Sequence, residues 1–265
     1  MAETQRNISA QNPAREFDLK KLQTAYVYGG LCLLPFAPFL YLQGQYTRWK
    51  VGRLPDAGGA TTGESASSGE KIRFLAIGES TVAGIGAETH AEALTGQFAK
   101  HLSKHLGKKV EWHAMGHSGI TIRRTLDELV PDLPEKEFDA ILVALGGNDV
   151  FTVNSPESFR RDMKELLDIL REKNPGAKIF LANVPMVRDF TALPNPLRYI
   201  LSRLAKLHHF NAIDLASGMK EVYYYRDAGK VKDDFFSDGI HPSAHGYDLW
   251  SEAMVDYFIK IAGKF

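Results

Sequence analysis

Between residues 72 and 261, short uninterrupted apolar runs alternate with stretches in which apolar residues recur every three or four positions. A run bounded by turn residues suits a strand buried on both faces, and the longer spacing suits a helix with one covered face. Strands are therefore expected at 72–77, 110–115, 140–145, 178–184 and 222–225. Helices are expected at 92–106, with Gly107 as the stop, around 123–130, at 158–173, at 197–216 and at 247–261. Asn174-Pro175-Gly176 separates the third of these helices from its next strand. Strands alternating with helices predict a parallel sheet with helices on both faces.

The segment ahead of this domain has a different pattern. After a polar tail at 1–18, no charged residue occurs from Leu22 to Thr47. Its apolar centre, 25–42, is 18 residues long; at about 1.5 Å per residue a helix of that length comes close to the ~30 Å hydrocarbon core of a bilayer. Pro35 and Pro38 remove backbone donors that lipid cannot replace, so a kinked span and a shallow monotopic hairpin both fit, with an interfacial helix and a plain helix packed on the protein as the alternatives. The segment 19–47 is expected to associate with a membrane through residues about 22–47. Arg15, Lys20 and Lys21 precede it and Arg48, Lys50 and Arg53 follow it, so charge assigns no side. No small-x-small site follows the apolar run, and the segment is expected to stay on the mature protein. Residues 48–70, with Gly, Ala, Thr and Ser dominating from 56 onward, are expected to be a flexible linker to a domain at 71–265.

Composition narrows the function classes. Lys plus Arg equals Asp plus Glu at 32 each, leaving no electrostatic footprint for nucleic acid. The single cysteine, Cys32, excludes an intramolecular disulfide and a multi-cysteine zinc site, and in its apolar run it reads as a small hydrophobe. No phosphate-binding Walker loop or dinucleotide fingerprint occurs, so no cofactor is expected. His101 and His105 have zinc-ligand spacing, but no glutamate follows His101, and a solvated helix face is expected instead. His208-His209 has no acidic or cysteine neighbour, and no metal is assigned to it.

Three stretches at strand ends carry usable chemistry: Gly78-Glu79-Ser80, Gly146-Gly147-Asn148-Asp149 and Asp238-Gly239-Ile240-His241-Pro242. In open parallel sheets, ligands gather at the carboxyl ends of the strands. A serine nucleophile needs a base, the base needs an orienting carboxylate, and the tetrahedral intermediate needs donors aimed at its oxygen. Ser80, His241, Asp238 and Asn148 can fill those roles in that order, and Gly119 after the second strand can add a backbone NH. Each block also has a bland reading: a helix-capping serine, a glycine turn, a surface ion pair. Ser118, in Gly116-His117-Ser118-Gly119, lacks the second glycine that a hydrolase nucleophile elbow requires, because Ile120 stands there.

The set Gly78-Glu79-Ser80-Thr81, Ser118-Gly119, Gly147-Asn148-Asp149 and Asp238-x-x-His241-Pro242 resembles, in order and spacing, the four blocks of the SGNH (GDSL-type) esterases and lipases. That resemblance implies a flavodoxin-like three-layer α/β/α sandwich around five parallel strands. It implies Ser80 as nucleophile, His241 as base and Asp238 as its partner, with an oxyanion hole from the Ser80 NH, the Gly119 NH and the Asn148 side chain. Glu79 departs from the family's usual aspartate, and no role is carried onto it. The expected activity is hydrolysis of an acyl ester, lipid-linked esters included, at a membrane. An acyltransferase using the same triad and an inactive membrane-anchored binding protein are the alternatives.

Overall fold

The computed structural model describes residues 19–52, 54–65, 69–227 and 234–263. The tail at 1–18, Arg53 and the linker residues 66–68 lie outside them. The described strands are β1 (Thr62–Glu64), β2 (Lys71–Gly78), β3 (Lys109–Gly116), β4 (Ala140–Ala144), β5 (Lys178–Leu181) and β6 (Val222–Tyr224). They form one sheet in the order β1-β3-β2-β4-β5-β6. β2 to β6 pair in parallel, as expected, in a doubly wound order.

Side-chain alternation along these strands explains why their sequences are apolar without interruption. In β2, Phe74 and Ala76 enter the core on one face while Leu75 and Ile77 enter the core on the other; all four are fully buried. Helices α4 (Leu94–Leu106) and α9 (Ala244–Ala262) cover the first face, and α5 (Ile122–Glu128), α7 (Pro156–Lys173) and α8 (Leu197–Ser217) the second. Phe98 anchors the first core, stacked on Phe74 at 5.1 Å and tilted against Phe180 at 6.1 Å. Two shorter helices, α3 (Ser80–Ala83) and α6 (Gly147–Phe151), begin just beyond β2 and β4.

Two expectations are corrected. Part of the presumed flexible linker is held to the domain: β1 pairs antiparallel with β3, making a sixth strand. The Ala57 NH also donates to the Ala83 carbonyl at 2.9 Å, and the Ala114 NH to the Thr61 carbonyl at 2.7 Å. The small residues serve contact here, since a Cβ on Gly63 would lie 2.3 Å from the Trp112 ring. Nor is His101 on a solvated face: it is buried with Nε2 2.8 Å from Asp248, while His105 stays exposed with Nε2 2.6 Å from Asp256, and both contacts tie α4 to α9.

At the N-terminus, α1 (Leu19–Leu33) passes through a 3-10 turn at Leu34–Phe36 into α2 (Ala37–Val51). Pro35 and Pro38 each fall in the first positions of a helical segment, where a missing NH costs little. The helical path therefore runs on from Lys21 to Val51 rather than doubling back as a hairpin. It lies against α8: Gln43 donates to the Asn195 carbonyl at 2.9 Å and accepts from the Leu197 NH at 3.2 Å. Its opposite side, including Tyr28, Leu31, Phe39, Leu42 and Trp49, is exposed.

Candidate active site

The register of the sheet determines where the site lies. Gly78, Gly116 and Ala144 stand opposite one another at the carboxyl ends of β2, β3 and β4. The chain leaving each strand therefore emerges beside the other two, at the point where the strand order reverses. Ser80, Gly119 and Asn148 come from those three exits, and all three line one groove together with Ser118 and His241. Every residue expected in the site is thus brought together there except Asp238, which stands behind His241.

Ser80 begins α3, so its NH has no carbonyl one turn earlier to bond. Gly119 has φ +78°, a conformation that side chains disfavour, and the space around its Cα is open. Among the described residues neither NH donates to a protein acceptor.

Asp238 and His241 belong to a tight loop closed by a hydrogen bond from the Ser237 NH to the His241 carbonyl at 2.8 Å. Asp238 Oδ1 accepts the Ile240 and His241 NH groups at 2.9 and 2.7 Å, and Oδ2 lies 2.7 Å from His241 Nδ1. Burial alone would raise the Asp238 carboxyl, but the His241 ring and these NH groups outweigh it and hold it below its ordinary value. A charged carboxylate only accepts, so the proton sits on Nδ1 and Nε2 is left as a base.

Glu79 is the residue whose role the sequence did not reveal. Its buried carboxylate accepts the Gly147 NH at 2.9 Å, the Asn148 NH at 2.8 Å and Asn148 Nδ2 at 2.6 Å, tying the exit of β2 to that of β4. Gly147 is required by this contact, because a Cβ there would lie 2.8 Å from Glu79 Oε1. The second hydrogen on Asn148 Nδ2 goes to the Ile120 carbonyl at 3.1 Å. Two acceptors in those places orient the carboxamide without ambiguity. Asp149, wholly buried, braces the adjacent loop by accepting the Ile122 NH at 3.2 Å and Asn154 Nδ2 at 2.8 Å. A sequence signal existed for Glu79, a carboxylate directly at the end of a largely apolar strand, where burial requires a donor set; Asp149 lies beyond the end of β4, within α6.

The remaining histidines lie elsewhere. His208 stacks on Phe159 at 4.2 Å and His209 Nδ1 lies 2.8 Å from the Tyr224 hydroxyl. Burial pushes their pKa values down to about 3 and about 4, so both are neutral. Among the described residues no three His, Cys, Asp or Glu side chains converge as metal ligands.

Burial pushes Glu79 up to about 7, against the pull of its Asn148 and Gly147 donors. A carboxyl raised in the folded state stabilises the fold below its ordinary pKa and loses that contribution as pH rises through about 7. From pH 5 to 8 the protein should therefore lose stability relative to Glu79→Gln, by up to about 3 kcal/mol. Denaturant melts of both proteins at the two pH values measure this, and parallel pH dependences would show that Glu79 does not titrate in that window.

Comparison with known proteins places this geometry in a family. The model of the GDSL-like Lipase/Acylhydrolase family matches residues 76–249, a span holding every site residue discussed. No curated protein sequence matches the chain. Among solved structures, a family 3 carbohydrate esterase from Clostridium thermocellum is similar in fold, with a TM-score of 0.53 and 18% identity over 72% of this chain and 97% of that one. TesA is similar with a TM-score of 0.55 and 19% identity over 70% of this chain and 97% of that one. These two share the fold, and the family match carries the assignment: the chain belongs to the GDSL-like lipase/acylhydrolase family, a family of hydrolases that are mostly esterases.

Proposed function

We propose that the protein is a serine esterase or lipase that hydrolyses carboxylic esters through an acyl-enzyme on Ser80. The observation that carries this reading is the 2.7 Å Asp238–His241 bond, made beside a groove that also exposes Ser80, Gly119 and Asn148. His241 Nε2 takes the Ser80 hydroxyl proton as Oγ attacks the ester carbonyl, and the imidazolium formed is stabilised by Asp238. The same proton then passes to the leaving alcohol as the carbon–oxygen bond breaks. Water, deprotonated by His241, attacks the acyl-enzyme, and the acid leaves as Ser80 recovers its proton.

Negative charge on the tetrahedral oxygen is met by the NH groups of Ser80 and Gly119 and by Asn148 Nδ2. Of the two bonds that Nδ2 makes, the 3.1 Å one to the Ile120 carbonyl is the longer and goes to a neutral acceptor. That bond is the one exchanged for the oxyanion, while Glu79 keeps the carboxamide in place.

The helix from Lys21 to Val51 acts as the membrane element of this enzyme. It is long and apolar enough to cross a bilayer, and the side chains on its outer face are large, apolar and exposed. An apolar helix face left in water is costly, and lipid removes that cost.

Three outcomes are expected. A phosphonate serine probe should label the wild type and Ser118→Ala but not Ser80→Ala; a folded wild type that never reacts would refute the nucleophile. In steady-state kinetics, Asn148→Ala should lower kcat about 100- to 1000-fold with little change in KM, and near-normal turnover would remove Asn148 from the oxyanion hole. Cys32, the chain's single cysteine and exposed on the protein, should resist a water-soluble maleimide in membranes and react once detergent is added. Equal reaction in both states would place the helix in water.

A further inference from the structure

The groove that exposes Ser80 does not end at the catalytic residues. It runs on between the N-terminal helix and α8, and the whole cavity, its catalytic end included, has a volume of about 1230 Å³. Leu33 and the glycine pair Gly29-Gly30 stand on its N-terminal wall, and Ile200, Leu204 and Leu207 on its α8 wall. Charged side chains in the lining are Arg48, Arg203 and Lys206, with no carboxylate among them.

Large and small side chains of the N-terminal helix both line the groove: Leu22, Tyr26, Leu33 and Leu40 stand there with Gly29, Gly30 and Gly44, while Tyr28, Leu31, Phe39, Leu42 and Trp49 face outward. Small residues on one helix face ordinarily let a neighbouring helix approach closely. Near α2 they do so, since a Cβ on Gly44 would lie 3.9 Å from Leu197 Cδ2. On α1, which also approaches α8, a Cβ on Gly29 or Gly30 would meet nothing within 4 Å, so the groove is open beside these two residues. Both α1 and α2 contact α8, and the groove left between them is continuous with Ser80.

Resting on the ester-hydrolase reading of Ser80, we infer that this gap is the binding site for a long acyl chain, with the N-terminal helix as one of its walls. The occupant must be apolar, because the facing walls offer it hydrocarbon. It must also be extended and attached to an ester, because the gap leads to the nucleophile. Taking a methylene as the size of a water, about 30 Å³, a sixteen-carbon chain needs about 480 Å³, which the cavity holds with room for the ester group. The absence of carboxylates and the presence of three cations suit an anionic head or the carboxylate product and disfavour a cationic ester. The substrate class is therefore long-chain acyl esters drawn from the lipid against which the outer face of the same helix rests.

The test uses the full-length protein in nonionic detergent with p-nitrophenyl esters from acetate to palmitate. kcat/KM should rise with chain length, by up to about fourfold per methylene while the groove is filling. Gly30→Phe and Ile200→Trp, which narrow the gap from opposite walls, should each lower the palmitate-to-butyrate ratio at least about tenfold while acetate turnover stays within about twofold. Trp49→Ala, on the outer face, should leave the ratio unchanged. Retained acetate turnover certifies the fold of each variant. A flat chain-length profile, or equal losses on short and long esters, would overturn the acyl-chain site while leaving the esterase intact. No turnover of any ester, with Ser80 unlabelled by a phosphonate, would instead overturn the ester-hydrolase reading beneath it.

Discussion

The carboxylate of Glu79 joins the two loops on which the candidate chemistry depends. It leaves β2 immediately before Ser80 and receives three hydrogen bonds from the Gly147-Asn148 backbone and the Asn148 side chain at the end of β4. Burying a charge is costly unless donors surround it, and here the donors are the groups whose positions matter. Ionised, the carboxylate orients Asn148 and holds the two loops together; its burial works against that ionisation and brings its pKa to about 7. The same contact explains a glycine at 147, where a side chain would strike Glu79. The longer glutamate, in the place where the family usually has aspartate, still reaches both loops.

Around this link the site has a division of labour. Loops after β2, β3 and β4 present Ser80, Gly119 and Asn148, and their relative positions follow from strand register. The proposed base, His241, comes from a separate loop near the C-terminus, where Asp238 accepts backbone NH groups on one oxygen and lies against the ring with the other. That loop is stiffened by its own hydrogen bonds, so His241 and Asp238 form a unit that docks as a whole. The N-terminal helix then adds an apolar wall that the family match at 76–249 does not include.

Much of this was legible in the chain. The apolar runs located the five parallel strands because both faces of the sheet are covered, and period and stop signals placed the main helices within a few residues. The four blocks around Ser80, Gly119, Asn148 and Asp238-His241 could be grouped because a parallel sheet delivers its strand ends to one side. β1 was not legible, since three residues of Thr, Gly and Glu have no apolar signature and pair only because the edge of β3 is open. The His101 and His105 contacts were missed for a related reason: their partners, Asp248 and Asp256, lie on a helix about 150 residues away.

Local chemistry and periodicity are properties of neighbouring residues, so the sequence alone determined the strand-helix alternation, the apolar N-terminal run and the residue types available for acyl transfer. Distances between residues far apart in the chain depend on sheet register and helix packing, and only the tertiary structure decided those. It turned Glu79 from an irregular motif letter into the clamp on Asn148. It also laid the N-terminal helix along α8, so that residues unremarkable in a hydrophobic run became one wall of a groove leading to Ser80.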